Sequence, residues 1–133
     1  MAFVLDASVA IAWVVASQAT PYTRRIRLRA KREPLHVPAI FSVEVANVLV
    51  VLERRGILTE GGSEAAAEAL GRLNPIVHQV ELGIPQLRAV ARRFGLSAYD
   101  ATYLALALEL RLPIACGDRP LKAALRAAGV KLA

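Results

Sequence analysis

The chain has 133 residues, 56% of them hydrophobic, and a net charge of +6. That length fits one domain, residues 1–133, with a well-filled core, and the hydrophobicity excludes intrinsic disorder. No apolar run reaches the roughly 18 residues of a membrane span, no secretory leader opens the chain, and the single cysteine, Cys116, excludes an internal disulfide and a cysteine-based zinc site, which points to an intracellular, cytoplasmic protein.

"AFVLDA" is short and apolar and predicts a buried first strand. Asp6 interrupts it, and a carboxylate costs free energy to bury without a partner. "DAS" also fits the cap of a short helix starting near Ser8. "TPYTRRIRLRAKRE" predicts a helix, with Thr20 as cap and Pro21 in the first turn. Six of the 17 basic residues fall at positions 24 to 32. Arg24, Arg25 and Arg29 are therefore candidate contacts for an anionic partner such as RNA; a solvated helix face is the alternative. Aromatic residues are only 5% of the chain, which gives little support to a base-stacking platform.

"LHVPA" predicts a second strand, and "SVEVANVLVVLERRG" a helix that Gly56 ends. "TEGGSEAAAEALGRL" predicts the next helix and "IVHQVEL", after Pro75, a third strand. "IPQLRAVARRFG" is a short helix stopped by Gly95, followed by the strong helix "SAYDATYLALALEL". "LPIACG" predicts a fourth strand, "DRPLKAALRAAG" the last helix and "VKLA" a fifth strand at the sheet edge. This alternation predicts an α/β fold: a central, mostly parallel sheet of four to five strands, covered on both faces. In such a sheet, ligands bind beyond the carboxyl ends of the strands.

The chain has three aspartates, Asp6, Asp100 and Asp118. Asp6 ends the first strand and Asp118 follows the fourth. Asp100 opens the helix that runs back into the fourth strand, and Glu44 opens the helix after the second. All four belong at the carboxyl edge of the sheet. Each has a local alternative. Ser97 and Asp100 fit a capping box, Glu44 complements a helix dipole, and Asp118 can cap the last helix. Capping does not explain their shared placement. Two like charges about 4 Å apart at an effective dielectric of about 20 repel by roughly 4 kcal/mol. Either some stay protonated or a cation sits among them. Oxygen donors suit Mg²⁺ or Mn²⁺ rather than zinc, and such ions assist phosphoryl chemistry. On a basic protein this points to metal-assisted cleavage of a nucleic-acid backbone.

Other schemes lack their residues. There is no phosphate-cradling glycine loop and no G-x-S-x-G elbow. The two histidines, His36 and His78, lie in or beside short strands and suit structural positions. Cys116 suits a buried small apolar position. Asn47, one turn after Glu44, either faces the same site or is a surface asparagine.

"VLDASVAIAWV", "VPAIFSVEVANVL" and "LSAYDATYLALALELRLPIACGDRPLKAA" together resemble the PIN-domain family, in particular its VapC-type toxins. The resemblance spans nearly the whole chain. It implies a three-layer α/β/α fold and Mg²⁺- or Mn²⁺-dependent endoribonuclease activity, with tRNA or rRNA as the expected target. It maps the family's acidic quartet onto Asp6, Glu44, Asp100 and Asp118. Asp6 and Asp100 would be direct metal ligands, Asp118 a ligand directly or through water, and Glu44 the holder of a water or second metal. Ser8 matches the small polar residue that supports the first acid. Cys116 departs from the pattern, which often has Thr or Ser there, and replaces a hydroxyl with a weakly polar thiol. The resemblance also implies a homodimer and a small VapB-type antitoxin partner. Val48, Val51 and Leu52 could serve an interface or the core.

Two other readings compete. One is a non-catalytic PIN-like module that binds RNA or a partner. The other is a receiver-type phosphoacceptor, which would want an aspartate after the third strand, where this chain has none.

Overall fold

The computed structural model describes residues 1–133. Its elements in order are β1 (Phe3–Leu5), α1 (Ala7–Val14), α2 (Pro21–Ala30), β2 (Leu35–Pro38), α3 (Phe41–Arg54), α4 (Glu60–Gly71), β3 (Ile76–His78), α5 (Ile84–Phe94), α6 (Ala98–Leu110), β4 (Ile114–Ala115) and α7 (Arg119–Ala128), with a 3-10 turn at Ala16–Gln18. The four strands form one parallel sheet in the order β3-β2-β1-β4.

β1 is fully buried because it runs between two neighbours with helices on both sides. Helices α1 to α4 pack on one another as one group and α5 to α7 as a second, with α6 lying against β1, β2 and β4. This is the expected three-layer arrangement. The core is one cluster that takes in β1, β2, β4 and residues of most helices. α6 is buried nearly all round, with Leu104 and Leu106 wholly inaccessible. Truncating either to Ala would cost about 2–5 kcal/mol.

The chain steps outward from β1 to β2 to β3, then crosses back to place β4 on the other side of β1. The segments leaving β1 and β4 enter α1 and α7, which belong to opposite helix groups. Their carboxyl ends therefore flank a crevice of the kind where open α/β sheets bind ligands.

Several elements differ from expectation. The apolar opening stretch is two elements, since α1 begins directly after Asp6, the alternative that "DAS" left open. β3 covers three residues only, and its Ile76 and Val77 are 49% and 59% exposed. β2 turns away into α3 after Pro38, so the ladder ends with the Ala39 amide on the His78 carbonyl at 2.9 Å. "VKLA" is not a strand. It makes a single parallel bridge, Leu132 opposite Ile114, so the sheet has four strands. Leu52 is core, Val48 and Val51 are half-buried, and the large exposed apolar residues of α3 are Val43 and Val50. His36 and His78 join β2 to β3, with Nδ1 and Nε2 at 2.8 Å and stacked rings.

Candidate active site

Each acid reaches the rim by a local device. Asp6 is the last residue of the β1 path. Its amide donates to the Ala115 carbonyl at 3.0 Å, and its backbone is still extended where α1 begins at the next residue. Its carboxylate caps α1 by accepting the Ser8 amide at 3.2 Å, and it also accepts the Ser8 hydroxyl. Ser8 Oγ in turn accepts the Gly117 amide at 3.1 Å. One hydroxyl thus ties the end of β1 to the loop that carries Asp118.

Gly95 closes α5 with φ of 64°, a left-handed conformation that glycine adopts freely. Ser97 can then cap α6 by accepting the Asp100 amide at 3.1 Å. Only this half of the expected capping box forms, and the Asp100 carboxyl turns to the other acids. Asp118 occupies the cap position of α7, yet its side chain makes no capping bond. Glu44 lies in the first turn of α3, and its Oε1 is buried with no hydrogen-bond partner.

The acids act on one another. Burial first, then the charges of Glu44 and Asp118, push Asp6 up to about 6, against the lowering effect of the Ser8 hydrogen bonds. Asp100 is pushed up to about 6, first by burial, then by Asp6 and Asp118 and by a hydrogen bond with the Asp118 carboxyl. Glu44 is raised by burial and by Asp100. Asp6, Glu44, Asp100 and Asp118 therefore share one electrostatic neighbourhood, although the sequence scatters them.

The remaining expected residues differ in their placement. Cys116 is fully buried, and burial followed by the Asp6 charge pushes its thiol up to about 12, so it is inert. Asn47 is exposed and hydrogen-bonds to none of the acids. Arg24 and Arg25 are exposed on α2. Arg29 is engaged internally, 2.9 Å from Glu33 and over the Phe3 ring. Sequence reasoning missed Tyr103. It is fully buried on α6, one turn after Asp100, and acts on Glu44, yet its hydroxyl reaches no partner at hydrogen-bond geometry. The i, i+3 spacing from Asp100 was the available signal.

No three His, Cys, Asp or Glu side chains stand at direct metal-ligating spacing. The donor set still fits a hard divalent cation. It is all oxygen and mutually repelling, and it leaves one carboxylate oxygen buried and unsatisfied. One or two carboxylates held directly, with waters completing the shell, is the way Mg²⁺ is ordinarily bound.

The comparisons with known proteins agree with the fold. The PIN-domain family model matches residues 3–124. The chain belongs to the PIN-domain family. Ribonuclease VapC3 of Pyrobaculum aerophilum is 31% identical over 123 residues, covering 91% of this chain and 92% of that protein. Among solved structures, PAE2754 from Pyrobaculum aerophilum superposes with a TM-score of 0.66 at 23% identity, covering 93% of this chain and 87% of that one. VapBC2 from Rickettsia felis, solved bound to a DNA fragment from its promoter, superposes with a TM-score of 0.62 at 13% identity, covering 100% of this chain and 98% of that one. At those identities the two structures carry the fold alone. Membership of the PIN family removes the receiver-type alternative, and this PIN domain has no helix long and apolar enough to cross a membrane.

Proposed function

We propose that this PIN domain is a Mg²⁺- or Mn²⁺-dependent endoribonuclease, the toxin of a toxin–antitoxin pair that acts in the cytoplasm on tRNA or rRNA. The observation that carries the reading is the gathering of Asp6, Glu44, Asp100 and Asp118 at the crevice between β1 and β4, where each raised carboxyl is raised in part by another. The 31% identical Ribonuclease VapC3 supports the nuclease, and the VapBC2 structural neighbour supports a small antitoxin as partner. We also propose a homodimer.

In this mechanism Asp6 and Asp100 would hold the cation, and Asp118 would complete its site directly or through water. When bound, the ion neutralises phosphoryl charge and lowers the pKa of water. Ser8 fixes the Asp6 carboxylate in one rotamer through its hydroxyl and amide. Glu44, with an oxygen free to accept, orients the attacking water by taking its hydrogen bond. Burial excludes competing solvent from Asp6 and strengthens each of these contacts.

The alternative reading is a non-catalytic module that binds RNA or a partner, and the complete acidic quartet argues against it. One experiment separates the two: purified protein is incubated with total cellular RNA, with and without Mn²⁺, beside an Asp6→Asn control. The nuclease reading expects Mn²⁺-dependent fragments that the substitution abolishes. No cutting together with no calorimetric Mn²⁺ binding would move the assignment to the module.

A further inference from the structure

A cleft of about 500 Å³ opens beside Asp118. Its walls include Ser8 of α1, Gln18 of the 3-10 turn, Tyr22 of α2, Gly117, Asp118 and Lys122 of α7. Two cations rest against the Tyr22 ring, with Lys122 Nζ 5.4 Å and the Arg25 guanidinium 5.6 Å from its centre. The ring is itself anchored, since the Tyr22 hydroxyl donates to the Ala133 main-chain oxygen at 3.2 Å. Contact with an aromatic face restrains a long cationic side chain without neutralising it.

Neither cation has a carboxylate partner. The three ion pairs of the chain use the N-terminus, Arg29 and Arg72. Asp118 is the one carboxylate in the cleft, and it belongs to the rim of acids. Two free, restrained positive charges therefore adjoin a site that, by itself, repels anions. A nucleic-acid strand must bring phosphate to those acids, and an adjacent phosphate held by cations offsets that repulsion. A cleft of this size admits one nucleotide of a splayed strand and excludes a duplex. The Gln18 side chain is exposed and makes no hydrogen bond, so it is free to meet a sugar hydroxyl.

We propose that this cleft seats the nucleotide next to the scissile bond of a single-stranded RNA, its phosphate on Lys122 and Arg25 and its sugar beside Gln18. This rests on the ribonuclease reading and deepens it. It also divides the basic run on α2: Arg25 rests against the Tyr22 ring that walls the cleft, whereas Arg29 is engaged with Glu33.

The test measures binding of a short fluorescein-labelled single-stranded RNA of mixed sequence, in EDTA so that no cutting occurs, over a series of salt concentrations. Lys122→Gln and Arg25→Gln are compared with Arg54→Gln, which removes the same charge at the far end of α3, about 15 Å along the helix from Glu44. Each cleft variant should weaken binding about threefold to tenfold and reduce the salt slope by about 0.7, the value for one phosphate contact on a single strand. Arg54→Gln should do less on both measures. Equal losses in all three variants would reduce the effect to net charge and overturn the subsite. Unchanged binding in the two cleft variants would also overturn it. The nuclease reading is scored separately, by Mn²⁺-dependent cutting with the wild type. If cutting persists while the cleft variants bind normally, the subsite falls and the nuclease stands. If the cleft variants bind weakly and the wild type cuts nothing, the RNA contact survives, and its place beside a scissile bond falls with the nuclease reading.

Discussion

Ser8 Oγ accepts the Gly117 amide at 3.1 Å while donating to the Asp6 carboxylate, across a separation of 109 residues. The two segments it joins leave neighbouring strands for opposite helix layers. Without that hydroxyl the Gly117 amide has no side-chain partner, and Asp6 keeps only the Ser8 amide. Ser8→Ala should therefore destabilise the fold by about 1–2 kcal/mol, measured as the shift in urea midpoint. It should also weaken Mn²⁺ binding, because Asp6 loses a bond that favours its ionised form. A normal urea midpoint with normal Mn²⁺ affinity would remove Ser8 from the site.

The acids make stability depend on pH in the absence of a cation. Asp6 and Asp100 sit at about 6 in the folded chain against 3.8 for the free side chain. The folded state therefore binds more protons than the unfolded state between about pH 4 and 6. Stability is full below that window, falls through it, and levels above it. For the deeply buried Asp6 the loss is on the order of 3 kcal/mol; the more open Asp100 adds less. Thermal melts in EDTA should fall from pH 4 to 7, and added Mn²⁺ should restore the melting temperature at pH 7. Asp6→Asn keeps a good helix cap and lacks the charge, so its melts should vary less with pH and respond less to Mn²⁺. Parallel pH profiles for the wild type and Asp6→Asn would contradict this account.

Cys116 offers a sharper view of the metal surroundings. It is fully buried beside Asp6, and its thiol is uncharged. A hydroxyl of similar size at that position can donate a stronger hydrogen bond to the carboxylates than a thiol can. Cys116→Thr should tighten Mg²⁺ binding by up to about tenfold, read by calorimetry. Equal affinities would show that position 116 has no influence on the cation.

The sequence carried most of the fold, because alternating apolar runs and capped helices mark a parallel α/β sheet in this chain. Asp6, Asp100 and Asp118 were legible through strand ends and helix starts, which topology converts into one rim. Other features depended on tertiary information. α1 hid behind β1 because "FVLDASVAIAWVV" is apolar at both periods, and only the Asp6 cap divides it. "VKLA" reads as a strand locally, yet only Ile114 is available to it as a partner. Tyr22 and Arg25 are three residues apart on α2, a spacing that brings side chains together, but Lys122 comes from α7, so its arrival at the same ring has no local signature. Arg29 differs from Arg25 in two ways: Glu33 lies four residues on, a pair the spacing allows, and the Phe3 ring lies under it, which only tertiary packing supplies.

Tyr103 and Glu44 carry the last prediction. Both are on helices that begin at the rim, and both present a buried oxygen with no formed hydrogen bond. The phenol is strongly raised, first by burial and then by the Glu44 charge, so it remains a neutral donor at any working pH. It is a neutral donor acting on Glu44, whose pKa it lowers against the raising effect of burial. In the metal-free chain, Tyr103→Phe removes an unsatisfied buried hydroxyl, and stability should hold or rise by about 1 kcal/mol. With a cation bound, Glu44 is driven to its ionised form and needs that donor to fix its orientation. The same substitution should then weaken Mn²⁺ binding and lower kcat with KM for RNA little changed. A destabilised chain with normal Mn²⁺ affinity and normal kcat would make Tyr103 a packing residue only. An unaltered melting temperature with weakened Mn²⁺ binding would establish it as the group that positions Glu44.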